Sequence, residues 1–191
     1  HSPQGLSAQI MIKLKYKTPA EWAEPIVAQM DVFLPDHAAA EKKASSMAMT
    51  MIAHYPDRPE LVMEMADLAL EELSHFRAVI KLMQQRDLQL LPDQKDGYVN
   101  ALRKCCRQGD IVYLMDRLLI AGIIEARGAE RFGLLAEALP EGELKRFYES
   151  ITRSELTHQA LFYDLAIKYA DPEEVGVRLE ALLEKEAAIV S

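Results

Sequence analysis

The sequence predicts an all-α fold, a four-helix bundle with additional short helices at its N- and C-terminal ends, and three observations predict it. Apolar residues recur at helical spacing through four long segments. No strand ladder, Gly-rich phosphate loop or low-complexity stretch interrupts them. A charged pattern also occurs twice: Glu41 precedes Glu72-Leu73-Ser74-His75 by 31 positions, and Glu125 precedes Glu155-Leu156-Thr157-His158 by 30.

The elements follow in order. Ile12, Leu14 and Tyr16 alternate with Lys13, Lys15 and Lys17, so residues 10–17 are expected to form a short extended arm. Thr18-Pro19-Ala20-Glu21 reads as a capping box opening a preliminary helix over about 19–32. Pro35 should interrupt or kink it, and the first bundle helix is expected over roughly 36–54, ending before Tyr55-Pro56-Asp57-Arg58-Pro59. The second should cover about 60–87, where Leu61, Met65, Leu68, Ala69, Phe76 and Val79 share a stripe with Glu72 and His75. A short helix is expected at 97–107. The third bundle helix, about 110–137, groups Leu114, Leu118, Gly122, Ala129 and Phe132 with Glu125. The fourth, about 141–169, sets Phe147, Ile151, Phe162 and Leu165 around Glu155 and His158. Asp171-Pro172 then caps a last amphipathic helix over about 172–188.

At 191 residues the chain fits one domain, 1–191, with a sizeable core. It is 50% hydrophobic and 27% charged, the balance of a soluble globular protein. No apolar run approaches the roughly 20 residues that cross a bilayer, and the start shows no signal-peptide pattern. Cys105 and Cys106 are adjacent, a poor geometry for a disulfide, so the expected setting is reducing and cytoplasmic. A net charge of −8 argues against a general nucleic-acid coat protein.

The repeated pattern is where chemistry is expected. Residues at i and i+3 share a helix face, so each Glu-x-x-His directs a carboxylate and an imidazole to one spot. Two such helices and two single-Glu helices supply six ligands for two ions: Glu41, Glu72, His75, Glu125, Glu155 and His158. Mixed oxygen and nitrogen ligation suits two iron ions, with manganese the main competitor. Glutamate is a common exposed helix residue, with 19 in this chain, so one Glu-x-x-His means little. Two on apolar stripes mean more, because a carboxylate on a core face is costly unless paired or metal-bound. The bland competitor is a metal-free helical interaction protein.

Other residues carry weaker signals. His37, one turn before Glu41, reads as a cap or surface residue, with a role behind the ligands as the alternative. His54 ends its helix, where a cation suits the dipole. Met47, Met49, Met51, Met63 and Met65 read as adaptable core filler. Lys13, Lys15 and Lys17 form one basic cluster; Arg103, Lys104 and Arg107 form another that could hold a phosphate backbone, with a solvated face as the default.

Four stretches resemble one family, the tRNA 2-methylthio-N6-isopentenyladenosine hydroxylases (MiaE-like) of the ferritin-like superfamily. They are Asp36-His37-Ala38 through Glu41-Lys42-Lys43-Ala44, Glu71-Glu72-Leu73-Ser74-His75-Phe76, Ile124-Glu125-Ala126-Arg127 with Glu130-Arg131-Phe132, and Arg153-Ser154-Glu155 with His158. The resemblance spans roughly 14–188. Ser74 stands where it leads one to expect histidine, and Gly128-Ala129 where it leads one to expect Ser-Cys; neither is a ligand position. The resemblance implies a ferritin-like bundle with a di-iron centre on the six residues above. It implies an O2-dependent hydroxylation of the isopentenyl group beside the tRNA anticodon, with electrons from a separate reductase or ferredoxin. Arg103, Lys104 and Arg107 would then contact the tRNA; the sequence is compatible with a monomer and does not fix the oligomeric state. A ferritin-like oxidase, peroxidase or iron-handling protein without a nucleic-acid substrate is the alternative.

Overall fold

A computed structural model describes residues 12–191. Among them are seven α-helices: α1 Ala23–Ala28, α2 Met30–His54, α3 Pro59–Gln84, α4 Gly97–Arg103, α5 Asp110–Ala138, α6 Glu143–Tyr169 and α7 Pro172–Val190. No β-strand occurs among the described residues, and no helix among them is long and apolar enough to cross a membrane. The chain divides into two compact units. One comprises Pro25–Gln94; the other joins the described residues up to Glu24 with Lys95–Ser191.

The first unit is a helical hairpin of α2 and α3. Leu34, Met51, Leu61 and Met65 are fully buried in it, and Ser45 Oγ donates to the Ala69 carbonyl at 2.9 Å, tying the two helices near mid-length. The expected break at Pro35 does not occur. The chain turns at Gln29 instead, and α2 runs through a buried Pro35 from Met30 onward. The proline falls in the second helical turn, so the bond it omits is near the helix start, where few bonds lie upstream. Two of the five methionines expected as core filler, Met49 and Met63, are exposed, whereas Met51 and Met65 have no exposure. They lie on the outer faces of their helices.

The second unit is built on the α5–α6 hairpin, with α7 packed on both helices and α4 on α5 and α7. Gly109 and Gly142 precede α5 and α6 with φ of 123° and 151°, conformations that favour glycine and turn the chain into each helix. Leu114, Leu118, Tyr148, Ile151, Phe162 and Leu182 fill its core, with Phe132 stacked on Tyr148 at 5.6 Å between ring centroids.

The start of the expected arm, Ile10 and Met11, lies outside the described residues; 12–17 carries no regular secondary structure but is held on this unit. Ile12 N–H donates to Gln159 Oε1 at 3.2 Å. The Ile12 side chain fits over Gly122, where an added Cβ would lie 2.7 Å from Ile12 Cδ1. Thr18 does not cap a helix. Its backbone N–H and hydroxyl both donate to Glu130, and a short 3-10 turn, Ala20–Trp22, begins after Pro19 without a side-chain cap. A carboxylate on α5 competes for the hydroxyl and wins.

Candidate metal centre

Glu41 stands midway along α2, and Glu72 and His75 stand one turn apart on α3. The i, i+3 spacing gives the latter two one direction, and the hairpin brings Glu41 to them. One ligand atom from each of Glu41, Glu72 and His75 lies within 4.8 Å of the others. His75 Nδ1 is 3.7 Å from Glu41 Oε2 and 3.6 Å from Glu72 Oε1, too far for strong hydrogen bonds. Glu41 and Glu72 are 3% and 2% exposed, so two carboxylates converge out of water.

His37 is also buried, contrary to its expected place at a cap or surface. Its Nε2 lies 2.8 Å from Glu41 Oε1. The other carboxylate oxygen, Oε2, accepts no hydrogen bond among the described residues. Glu41 is therefore held by one oxygen and presents the second towards His75 and Glu72.

The electrostatics fit a cation. Burial penalises the charged form of Glu41, but His37 and His75 outweigh it and hold the carboxyl well below its usual range. Burial likewise works against protonated His75, yet Glu41 and Glu72 raise its pKa to about 9. The imidazolium supplies the positive charge the two acids require. A divalent ion on the same atoms meets that requirement more fully and frees the proton. Two carboxylates and an imidazole are a donor set that iron or manganese accepts.

In the second unit, Glu125 comes from α5 and Glu155 and His158 from one face of α6. All three are buried. His158 Nδ1 lies 3.8 Å from Glu125 Oε2. Glu155 packs against Gly128: a Cβ there would stand 3.3 Å from Glu155 Oε2. The missing side chain leaves room for the carboxylate. Gln159, beside His158, is occupied by the Ile12 N–H and so fixes the N-terminal segment.

Of the three basic residues expected at RNA, Arg103 and Lys104 are exposed at the end of α4. Arg107 is committed elsewhere. Its backbone N–H, Nε and Nη2 all donate to the buried carboxylate of Asp116, which Arg178 also clamps. Cys105 and Cys106 are free thiols, half-buried.

A second buried charge cluster escaped sequence reasoning. Arg127 donates through Nε and Nη2 to Glu186 at 2.8 and 2.6 Å, and through Nη1 to Glu130 and the Tyr16 carbonyl. Tyr98 adds a 2.6 Å bond to Glu186. Glu186 is 59 positions from Arg127, and no local spacing announces such a pair.

This geometry belongs to a chain whose residues 6–191 match the family model described as tRNA-(MS[2]IO[6]A)-hydroxylase (MiaE). The chain belongs to the MiaE family. Over 173 residues it is 36% identical to the tRNA 2-(methylsulfanyl)-N(6)-isopentenyladenosine(37) hydroxylase of Pseudomonas putida, covering 91% of this chain and 84% of that one. Over 156 residues it is 33% identical to the Salmonella typhimurium protein of the same name, covering 82% of this chain but only 57% of that longer protein. A solved structure, Protein 43 with aldehyde deformylating oxygenase activity from Synechococcus, superposes with a TM-score of 0.88 at 35% identity, over 93% of this chain and 89% of that one. The all-α, ferritin-like fold class expected from the sequence is the fold of this MiaE-family chain.

Proposed function

We propose that this chain is a non-haem di-iron monooxygenase acting on tRNA, hydroxylating the isopentenyl group of 2-methylthio-N6-isopentenyladenosine in the cytoplasm. Glu41, Glu72 and His75 of one unit and Glu125, Glu155 and His158 of the other would supply six ligands to two irons, making residues 1–191 one functional domain. Bound iron supplies the activation of O2. The overall reaction balances with O2, two external electrons and two protons: one oxygen atom enters a substrate C–H bond and the other leaves as water. Electrons would come from a separate reductase or ferredoxin.

What the chain itself contributes follows from its side chains. His37 orients Glu41 through one oxygen and leaves the other for an ion. Gly128 leaves the space that the Glu155 carboxylate fills. Burial of the acids excludes water from the positions where charge must be held.

The observation that carries the reading is the buried Glu41–Glu72–His75 cluster, found in a chain 36% identical to a tRNA hydroxylase. The test is direct. Iron-loaded protein, tRNA bearing the 2-methylthio-isopentenyl adenosine, O2 and a reductant should yield a nucleoside heavier by one oxygen atom. An unchanged nucleoside would contradict the assignment.

A second reading has one observation in its favour, the 35% identity to a protein with aldehyde deformylating oxygenase activity. It keeps the metals and removes the RNA. Loss of the aldehyde carbon from an aldehyde substrate, with tRNA left unoxidised, would select it.

A further inference from the structure

Within the second unit, α4 and the C-terminal end of α7 border an open groove of about 630 Å³. Lys95, Lys104 and Lys185 rim it, Asn100 offers a polar edge, and Ala101 and Ile189 contribute to an apolar floor. No acidic residue lines it. All three lysines are exposed, and none forms an ion pair among the described residues.

The net charge is −8, so acids are plentiful, and Lys15, Lys42, Arg86, Arg107, Arg127 and Arg178 all find one. The acids adjacent to the groove lysines in sequence bond other groups. Asp96, next to Lys95, caps α4 by accepting from the N–H groups of Tyr98 and Val99. Glu184, before Lys185, takes Lys15, and Glu186, after it, is buried against Arg127 and Tyr98. The folded chain thus gathers three ammonium groups without an ion pair around one concavity that no acid lines.

We infer that this groove binds the phosphodiester backbone of the RNA substrate, a proposal that rests on the tRNA reading above. Flexible ammonium groups around a groove suit a row of phosphates, each contact releasing condensed counterions. An apolar floor with one amide at its edge accepts the face of an unstacked base. Lys104 keeps the role expected from the sequence, Lys95 and Lys185 join it, and Arg107 leaves the set.

The test compares the iron-loaded wild-type chain with a Lys95→Gln/Lys104→Gln/Lys185→Gln variant, and with a Lys81→Gln/Lys168→Gln control. Each is titrated against fluorescent anticodon stem-loop RNA at several salt concentrations. The groove variant should bind at least about tenfold more weakly, with a salt slope shallower by roughly two to three, from about 0.7–0.9 per phosphate contact. The control should match wild type. Equal affinity and slope in the groove variant, with wild type still binding and oxidising tRNA, would overturn the groove and leave the function standing. Failure of wild type to bind or oxidise RNA would overturn both. Unchanged RNA binding with loss of only the turnover driven by an acidic electron-transfer protein would assign the groove to that protein and overturn the proposal. Because the three ammonium groups hold no internal partner, the variant should fold; if it does not, the three single variants give the same comparison.

Discussion

One hydrogen bond from His37 fixes one oxygen of the Glu41 carboxylate. The His37 Nε2 is 2.8 Å from Glu41 Oε1, and both residues are 3% exposed. Partners behind a ligand typically govern metal affinity by 10–100-fold. His37→Ala should therefore weaken iron binding by about tenfold or more, while His37→Gln, whose amide can still donate, should recover much of it; anaerobic metal titration reads both. Equal weakening in the two variants would mean that His37 acts through packing alone. Asp116 gives a second prediction. Burial alone would raise its carboxyl pKa, but Arg107 and Arg178 hold it below the ordinary 3.8. A depressed carboxyl stabilises the fold above its unfolded value and loses that contribution as pH falls through the folded one. The urea-midpoint gap between wild type and Asp116→Asn should be constant above about pH 5 and shrink below it. At this scale the Glu41–Glu72–His75 cluster was legible because Glu-x-x-His is a local spacing. His37 was one turn from Glu41, and only its burial, invisible in the sequence, separates a supporting residue from a cap.

The elements are joined by charges that sequence spacing does not reveal. Arg127 on α5 reaches Glu186 on α7, and Tyr98 of α4 and the Tyr16 carbonyl close on the same pair. With Arg127 and Glu186 side chains 2% and 0% exposed, removing one partner leaves a buried charge alone. Glu186→Ala should destabilise the chain by about 3–5 kcal/mol in chemical denaturation, and an Arg127→Met/Glu186→Met double variant should regain part of that. A loss below about 1 kcal/mol in the single variant would show that water reaches Arg127. Helix limits were legible where apolar periodicity was long, as in α3, α5 and α6. They failed where a local rule met a distant partner. Thr18 read as a cap, and Glu130 takes its hydroxyl. Pro35 read as a break, and α2 absorbs it because the chain has already turned at Gln29.

For the whole molecule, the fold class followed from four amphipathic stretches and two successive Glu…Glu-x-x-His patterns on apolar stripes, where a carboxylate is costly unless paired or metal-bound. The cationic groove of α4 and α7 was only partly legible. Lys185 lies 81 positions beyond Lys104, and its neighbouring acids had to be seen bonding other groups. The central claim is that six side chains hold two irons, and metal counting tests it most directly. Anaerobically reconstituted wild-type protein, washed free of excess metal, should carry about two irons per chain by elemental analysis, and Glu72→Ala and Glu155→Ala should each carry clearly fewer. Two irons retained in both variants, or none bound by the wild type, would contradict the assignment.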